Sequence, residues 1–216
     1  MTSDSPANSG ALTHSAAPLV AILRGVLPER VVEIGDVLYS AGFRLIEVPL
    51  NSPDPFASIA ALAACNRPDW IVGAGTVLNV ADVQRTHAAG GRLVVAPNSD
   101  PDVIRCAVQL GMQIMPGFAT ATEAFQAIQA GARDLKLFPA CTHGPRHLQA
   151  LRAVLPTSVR VFPVGGVGVA DIPTWLTAGA AGFGLGSELF RPEYELEEIA
   201  QRAADLVRAV REARRP

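Results

Sequence analysis

A chain of 216 residues is long enough for one large domain, and 18 basic against 20 acidic side chains, with no long run of one sign, exclude the basic stripe that a nucleic-acid binder carries. The three cysteines, Cys65, Cys106 and Cys141, match neither a disulfide framework nor a paired zinc motif, which suits a reducing cytoplasm. No apolar run approaches the roughly 18 residues of a membrane span, so small molecules or further copies of the chain are the expected partners.

Residues 1–17, "MTSDSPANSGALTHSAA", lack the positive n-region and apolar h-region of a signal peptide and read as a disordered leader before a single domain over 18–216. From Leu19 onward, short apolar runs rich in β-branched residues alternate with longer stretches of helical period. The expected strands are 19–24, 45–50, 70–77, 93–97, 112–117, 134–139, 160–166 and 182–187, eight in all. Between them, stretches such as "PERVVEIGDVLYSAG" and "DPDVIRCAVQLG" repeat apolar residues every three or four positions, as amphipathic helices do. Gly42, Gly90, Gly111, Gly131 and Gly179 stand where helices end, in a repeat of about 20–25 residues. Eight such units imply a parallel sheet covered by helices, and the simplest solution is a closed (β/α)8 TIM barrel of one domain. A doubly wound open sheet is the alternative, but "ILRGVLPE" stands where its G-x-G-x-x-G would follow the first strand.

In such a barrel chemistry sits at the carboxyl ends of the strands. The stretch "DLKLFP" puts Lys136 between two leucines of a buried strand, and an unpaired ammonium is costly to bury. Strand alternation turns Leu135 and Leu137 toward the helices and Lys136 and Phe138 inward; by the same rule Glu47 shares the inner side with Leu45 and Pro49. Arg24 and Thr76 end neighbouring strands. A Lys136–Glu47 pair that only fixes register is the bland reading, but such pairs stabilise poorly. A chemical role explains the set better: desolvation and Arg24 both depress the Lys136 pKa, giving a neutral amine that attacks a ketone, while Glu47 shuttles protons. Gly165-Gly166-Val167 and Gly184-Leu185-Gly186-Ser187 follow the last two strands, where barrels hold a phosphate on backbone N–H groups. His143 and His147, spaced i, i+4, are a weak metal signal with no third ligand nearby, and Cys141 reads as a packed thiol.

The blocks "AILRG", "IEVPLNSP", "GAGTVL", "PN", "ATATEAF", "LKLFP", "AVLP", "VGGV" and "GLGS", in order from about 19 to 212, resemble the class I aldolases of 2-keto-3-deoxy-6-phospho sugar acids. The resemblance implies that Lys136 forms a Schiff base, that Glu47 is the general acid/base, and that Arg24 and Thr76 contact the pyruvate half. It further implies that Gly165, Gly166, Gly186 and Ser187 hold the 6-phosphate, with Asn51, Pro97 and Phe138 completing the substrate-binding set. "EVPLNS", with Asn51 where gluconate-series members carry arginine, is similar to the galactonate-series members. Asn51 is then expected to read the carbon-4 hydroxyl or leave room for it. The implied enzyme is a cytoplasmic homotrimer acting on a phosphorylated keto acid in galactonate catabolism. It needs no metal or organic cofactor, because the protonated imine is the electron sink. A gluconate-series or dual-specificity aldolase, and a non-catalytic phosphate-sugar sensor on the same barrel, are the alternatives.

Overall fold

The computed structural model describes residues 18–215; the expected leader, 1–17, lies outside the described residues. Along the chain run β1 (Leu19–Ile22), α1 (Pro28–Ala41), β2 (Leu45–Pro49), α2 (Pro55–Ala64), β3 (Ile71–Gly75), α3 (Val80–Ala88), β4 (Leu93–Val95), α4 (Pro101–Gln109) and β5 (Gln113–Met115). They are followed by β6 (Gly117–Phe118), α5 (Ala121–Gln129), β7 (Asp134–Leu137), α6 (Ala140–Arg152), β8 (Arg160–Pro163), a short 3-10 turn (Val169–Asp171), α7 (Ile172–Thr177), β9 (Phe183–Leu185) and α8 (Leu196–Ala213).

Local chemistry sets the helix ends. Prolines open α1, α2 and α4, where a missing N–H is harmless. Asp100 caps α4 by accepting from the N–H groups of Asp102 and Val103, and Thr120 and Glu123 form a reciprocal capping box on α5. Gly42 closes α1 at φ 112°, its N–H donating back to Leu38 and Tyr39, and the other four expected helix-end glycines share the left-handed backbone. In α6 the helix breaks at Gly144 and resumes from Pro145, as expected for a proline in a first turn.

The strands are parallel and lie in a six-stranded sheet of order β5-β4-β3-β2-β1-β9 and a three-stranded sheet of order β6-β7-β8. The expected strand at 112–117 is thus two pieces, because Pro116 has no N–H to give to a ladder. Its carbonyl still accepts from the Lys136 N–H at 2.9 Å. At the other junction Val164 bridges Gly184, and the Ala181 N–H donates to Val161 at 2.9 Å. The architecture is therefore α/β, a curled sheet of parallel strands with helices outside.

Alternation divides the apolar residues between two cores. Ala21, Ile46, Val48, Leu135 and Leu137 face outward and pack with helix residues such as Val31, Ile34, Leu38, Ile59 and Leu62. Val20, Leu45, Leu93, Val95, Met115 and Phe162 fill the inside of the curl. Each fully buried side chain of this size stabilises by roughly 1.5–3 kcal/mol. Below the inner layer, at the amino ends of β7 and β8, Asp134 is buried and grips Arg160 through two hydrogen bonds of 2.6 and 2.7 Å.

Breaking that fork tests its role. Arg160 is 34% exposed, so Asp134→Ala is expected to lose about 2–3 kcal/mol in urea unfolding, less than the ~3–5 of a fully buried broken pair. A loss under about 1 kcal/mol would mean that water replaces the carboxylate without penalty.

Candidate active site

β2 and β7 bring the two central groups together. Glu47 is 1% exposed and Lys136 6% exposed, and each feels the charge of the other and of Arg24. Burial pushes the Glu47 carboxyl up from its ordinary value, against the pull of Lys136 and Arg24. Burial likewise pushes the Lys136 amine down; Glu47 opposes this and Arg24 assists it. Both groups drift toward neutrality, so the pair is poised to share one proton. Among the described residues nothing hydrogen-bonds the buried Oε2 of Glu47, an orphaned acceptor of the kind that marks a reacting site.

The surroundings fix both groups. The Lys136 Nζ lies 4.9 Å from the centroid of the Phe138 ring, close enough for a cation–π contact. Gly75, opposite Pro49 on β3, leaves room for the carboxylate: a methyl group there would fall 1.3 Å from Glu47 Oε2. Thr76 follows at φ 58°, a left-handed backbone that is a genuine outlier for a β-branched residue and a form of strain typical of functional sites. Arg24 is exposed, and its Nη1 donates to Asn51 Oδ1 at 2.6 Å. Gly165 and Gly166 both adopt positive φ, 95° and 71°.

Seven of the sequence-expected residues line one cavity of about 160 Å³: Arg24, Lys136, Phe138, Gly165, Gly166, Gly186 and Ser187. Val167 and Gly184, from the same two expected anion-site stretches, line it too, whereas Ile22, Val164 and Glu188 were missed. Val164 was within reach of the alternation rule, two residues beyond the inward Phe162. Glu188, directly after Ser187, carried no pattern at all. Glu47, Asn51, Thr76 and Pro97 stand outside that wall, with Asn51 turned to Arg24 and Pro97 half-buried.

Two weaker expectations resolve differently. The rings of His143 and His147 stack at 4.8 Å, and His147 Nε2 lies 2.6 Å from the Ala119 carbonyl, so a backbone contact engages that ring. Among the described residues no group of three or more His, Cys, Asp or Glu is placed to hold a metal ion. Cys141 is not packed: it is exposed at the start of α6, because Gly166 brings no side chain over it.

A desolvated amine beside a desolvated carboxyl group, at the carboxyl ends of parallel strands, can form an imine with a ketone and move protons on the adduct. The chain belongs to the KDPG and KHG aldolase family, whose model matches residues 12–204, and it is an aldolase, a carbon–carbon lyase. That sets aside the non-catalytic sensor. It is 46% identical over 196 residues to the 2-dehydro-3-deoxy-6-phosphogalactonate aldolase of Escherichia coli (strain K12), covering 91% of this chain and 96% of the relative. A solved structure described as native KDPGal superposes with a TM-score of 0.90 at 46% identity, over 93% of this chain and 97% of that one. A cube-shaped protein cage designed by fusing symmetric oligomeric domains matches with the same TM-score of 0.90 and 46% identity, over 92% of this chain and 74% of that one.

Gly75→Ala is expected to displace the Glu47 carboxylate and lower kcat/KM for aldol cleavage by at least about a hundredfold, since an ångström of misplacement is enough for that. Steady-state kinetics beside a thermal melt checks it; a folded variant of normal activity would show that Glu47 does not need this position.

Proposed function

We propose that this aldolase cleaves 2-dehydro-3-deoxy-6-phospho-D-galactonate, reversibly, to pyruvate and D-glyceraldehyde 3-phosphate, with Lys136 as the imine-forming amine and Glu47 as the general acid/base. The observation that carries the reading is the mutual burial of those two groups, each shifted toward its neutral form. The 46% identity to a relative named for that substrate supports the galactonate series.

The neutral Lys136 amine adds to the 2-keto carbon; protonated Glu47 gives its proton to the departing hydroxyl, so that water leaves and a protonated imine stands beside the Glu47 carboxylate. Glu47 takes the proton of the 4-hydroxyl, directly or through one water; the bond between carbons 3 and 4 breaks, and its electron pair neutralises the imine as an enamine. Glyceraldehyde 3-phosphate departs. Glu47 returns its proton to carbon 3 of the enamine, restoring the protonated imine; water then adds, the Glu47 carboxylate takes up the proton set free, and pyruvate leaves the neutral amine. Arg24 and Thr76 hold the pyruvate half, while Pro97 and Phe138 flank it and Asn51 engages Arg24. Gly165, Gly166, Gly186 and Ser187 receive the 6-phosphate on backbone N–H groups and a hydroxyl. No metal or organic cofactor enters this scheme.

The assembly follows the same reading. The bonds from Lys136 to Pro116 and from Ala181 to Val161, with the Val164–Gly184 bridge, join the two sheets at both junctions. We infer from them a closed (β/α)8 TIM barrel of one domain, with the broken fifth strand counted once. The symmetric oligomeric domains named for the cage protein favour an oligomer, here a cytoplasmic homotrimer.

Borohydride added with pyruvate is expected to fix a pyruvate-derived mass on the Lys136 peptide. The trapping rate should rise with pH through a midpoint below the ordinary 10.5 of a lysine, because the lowered pKa leaves more neutral amine at each pH. An unlabelled Lys136 peptide would overturn the assignment. For the substrate, kcat/KM on the two carbon-4 epimers should favour the galactonate form by about tenfold or more. Equal values would make the enzyme dual-specific, and the reverse order a gluconate-series aldolase.

A further inference from the structure

Resting on the proposed role of Arg24 at the pyruvate half, we infer that Asn51 is a positioning residue that acts through Arg24, and that it fixes affinity for the keto-acid end of the substrate rather than reading the carbon-4 hydroxyl. The side-chain oxygen of Asn51 is engaged: it accepts from Arg24 Nη1 at 2.6 Å. One residue further along both loops, the Gly25 N–H donates to the hydroxyl of the buried Ser52 at 2.9 Å. The loop after β1 and the loop after β2 are therefore tied twice, at consecutive residues, one tie buried at its acceptor and the other holding the guanidinium.

Arg24 needs such a tie. It is exposed and has many rotamers available to it, yet it lines the cavity with Lys136 and its charge acts on both Lys136 and Glu47. The chemistry of the acceptor matters as much as its position. A carboxylate at 51 would hold the guanidinium equally well but cancel its charge, whereas an amide oxygen holds one N–H, leaves the other donors of the fork, and keeps the full positive charge facing the cavity. Asn51 itself does not line that cavity.

Pyruvate alone separates the two roles, because it has no carbon 4. Deuterium exchange at its methyl group in heavy water, followed by NMR, reads imine and enamine formation without a sugar. Asn51→Ala is expected to raise the KM for exchange by about tenfold with kcat within about twofold, the pattern of lost uniform binding. It should lower cleavage of both carbon-4 epimers by the same factor. In an Arg24→Met background, Asn51→Ala should add no further effect, since the group it positions is gone. Normal pyruvate exchange with a changed epimer ratio would overturn the inference and make Asn51 a reader of the hydroxyl. Additive effects in the double variant, or no effect of Asn51→Ala on any reaction, would overturn it as well. A wild-type enzyme that exchanged no deuterium would sink the Lys136 reading, and this inference with it.

Discussion

The structure is organised around the burial of one ammonium group against one carboxyl group. Neither Lys136 nor Glu47 is stable alone where it sits, since each pays the desolvation of its charged form and each is relieved by the other. The relief is partial on both sides, which is what chemistry requires of them. A fully satisfied ion pair would leave an inert ammonium and an inert carboxylate. A pair short of one hydrogen bond, at Glu47 Oε2, keeps an amine that loses its proton easily and a carboxyl group that takes one up. Arg24 tilts the balance further, opposing the charge on Lys136 and favouring it on Glu47.

Holding such a pair demands space where a sheet has little. Glu47 and Gly73 are register partners, as are Pro49 and Gly75, so β3 presents glycines along the edge that β2 fills with its carboxylate. The absence of a side chain at Gly75 is thus as specific a feature as the presence of one at Glu47. The same exchange recurs at the far wall of the cavity, where Gly165 and Gly166 take left-handed backbone beside Phe138 and Cys141.

Much of this was legible one residue at a time. Period-2 alternation placed Lys136, Phe138 and Glu47 on the inside and Leu135, Leu137, Ile46 and Val48 on the outside; the last four lie in the outer apolar core, and Lys136 and Phe138 line the cavity. That rule works because a one-residue slip would invert every side chain. The helix-end glycines were legible for a similar reason, since few other residues tolerate positive φ. What failed was information carried by pairs distant in sequence. The exposure of Cys141 depends on Gly166, 25 positions on. Asn51 was noticed for its residue type, but its contact with Arg24, 27 positions away, is a property of two loops meeting in space.

The Asp134–Arg160 fork, which no pattern in the sequence announced, lies below the Lys136–Glu47 pair and neutralises itself there. Asp134 and Lys136 lie two apart on the inner face of β7. Arg160, opposite Asp134 on β8, takes both carboxylate oxygens of Asp134. One step up the ladder, Lys136 faces Phe162, which is fully buried and closes the apolar layer with Val20, Leu45, Leu93 and Met115. The interior is thus stratified: a neutralised ion pair at the amino ends of the strands, a dry apolar floor, and above it an amine whose charge is set by Glu47 and Arg24 alone among its partners. Without the fork, a carboxylate would be left buried and unpaired below the floor, a cost borne by the fold rather than by the charge of Lys136.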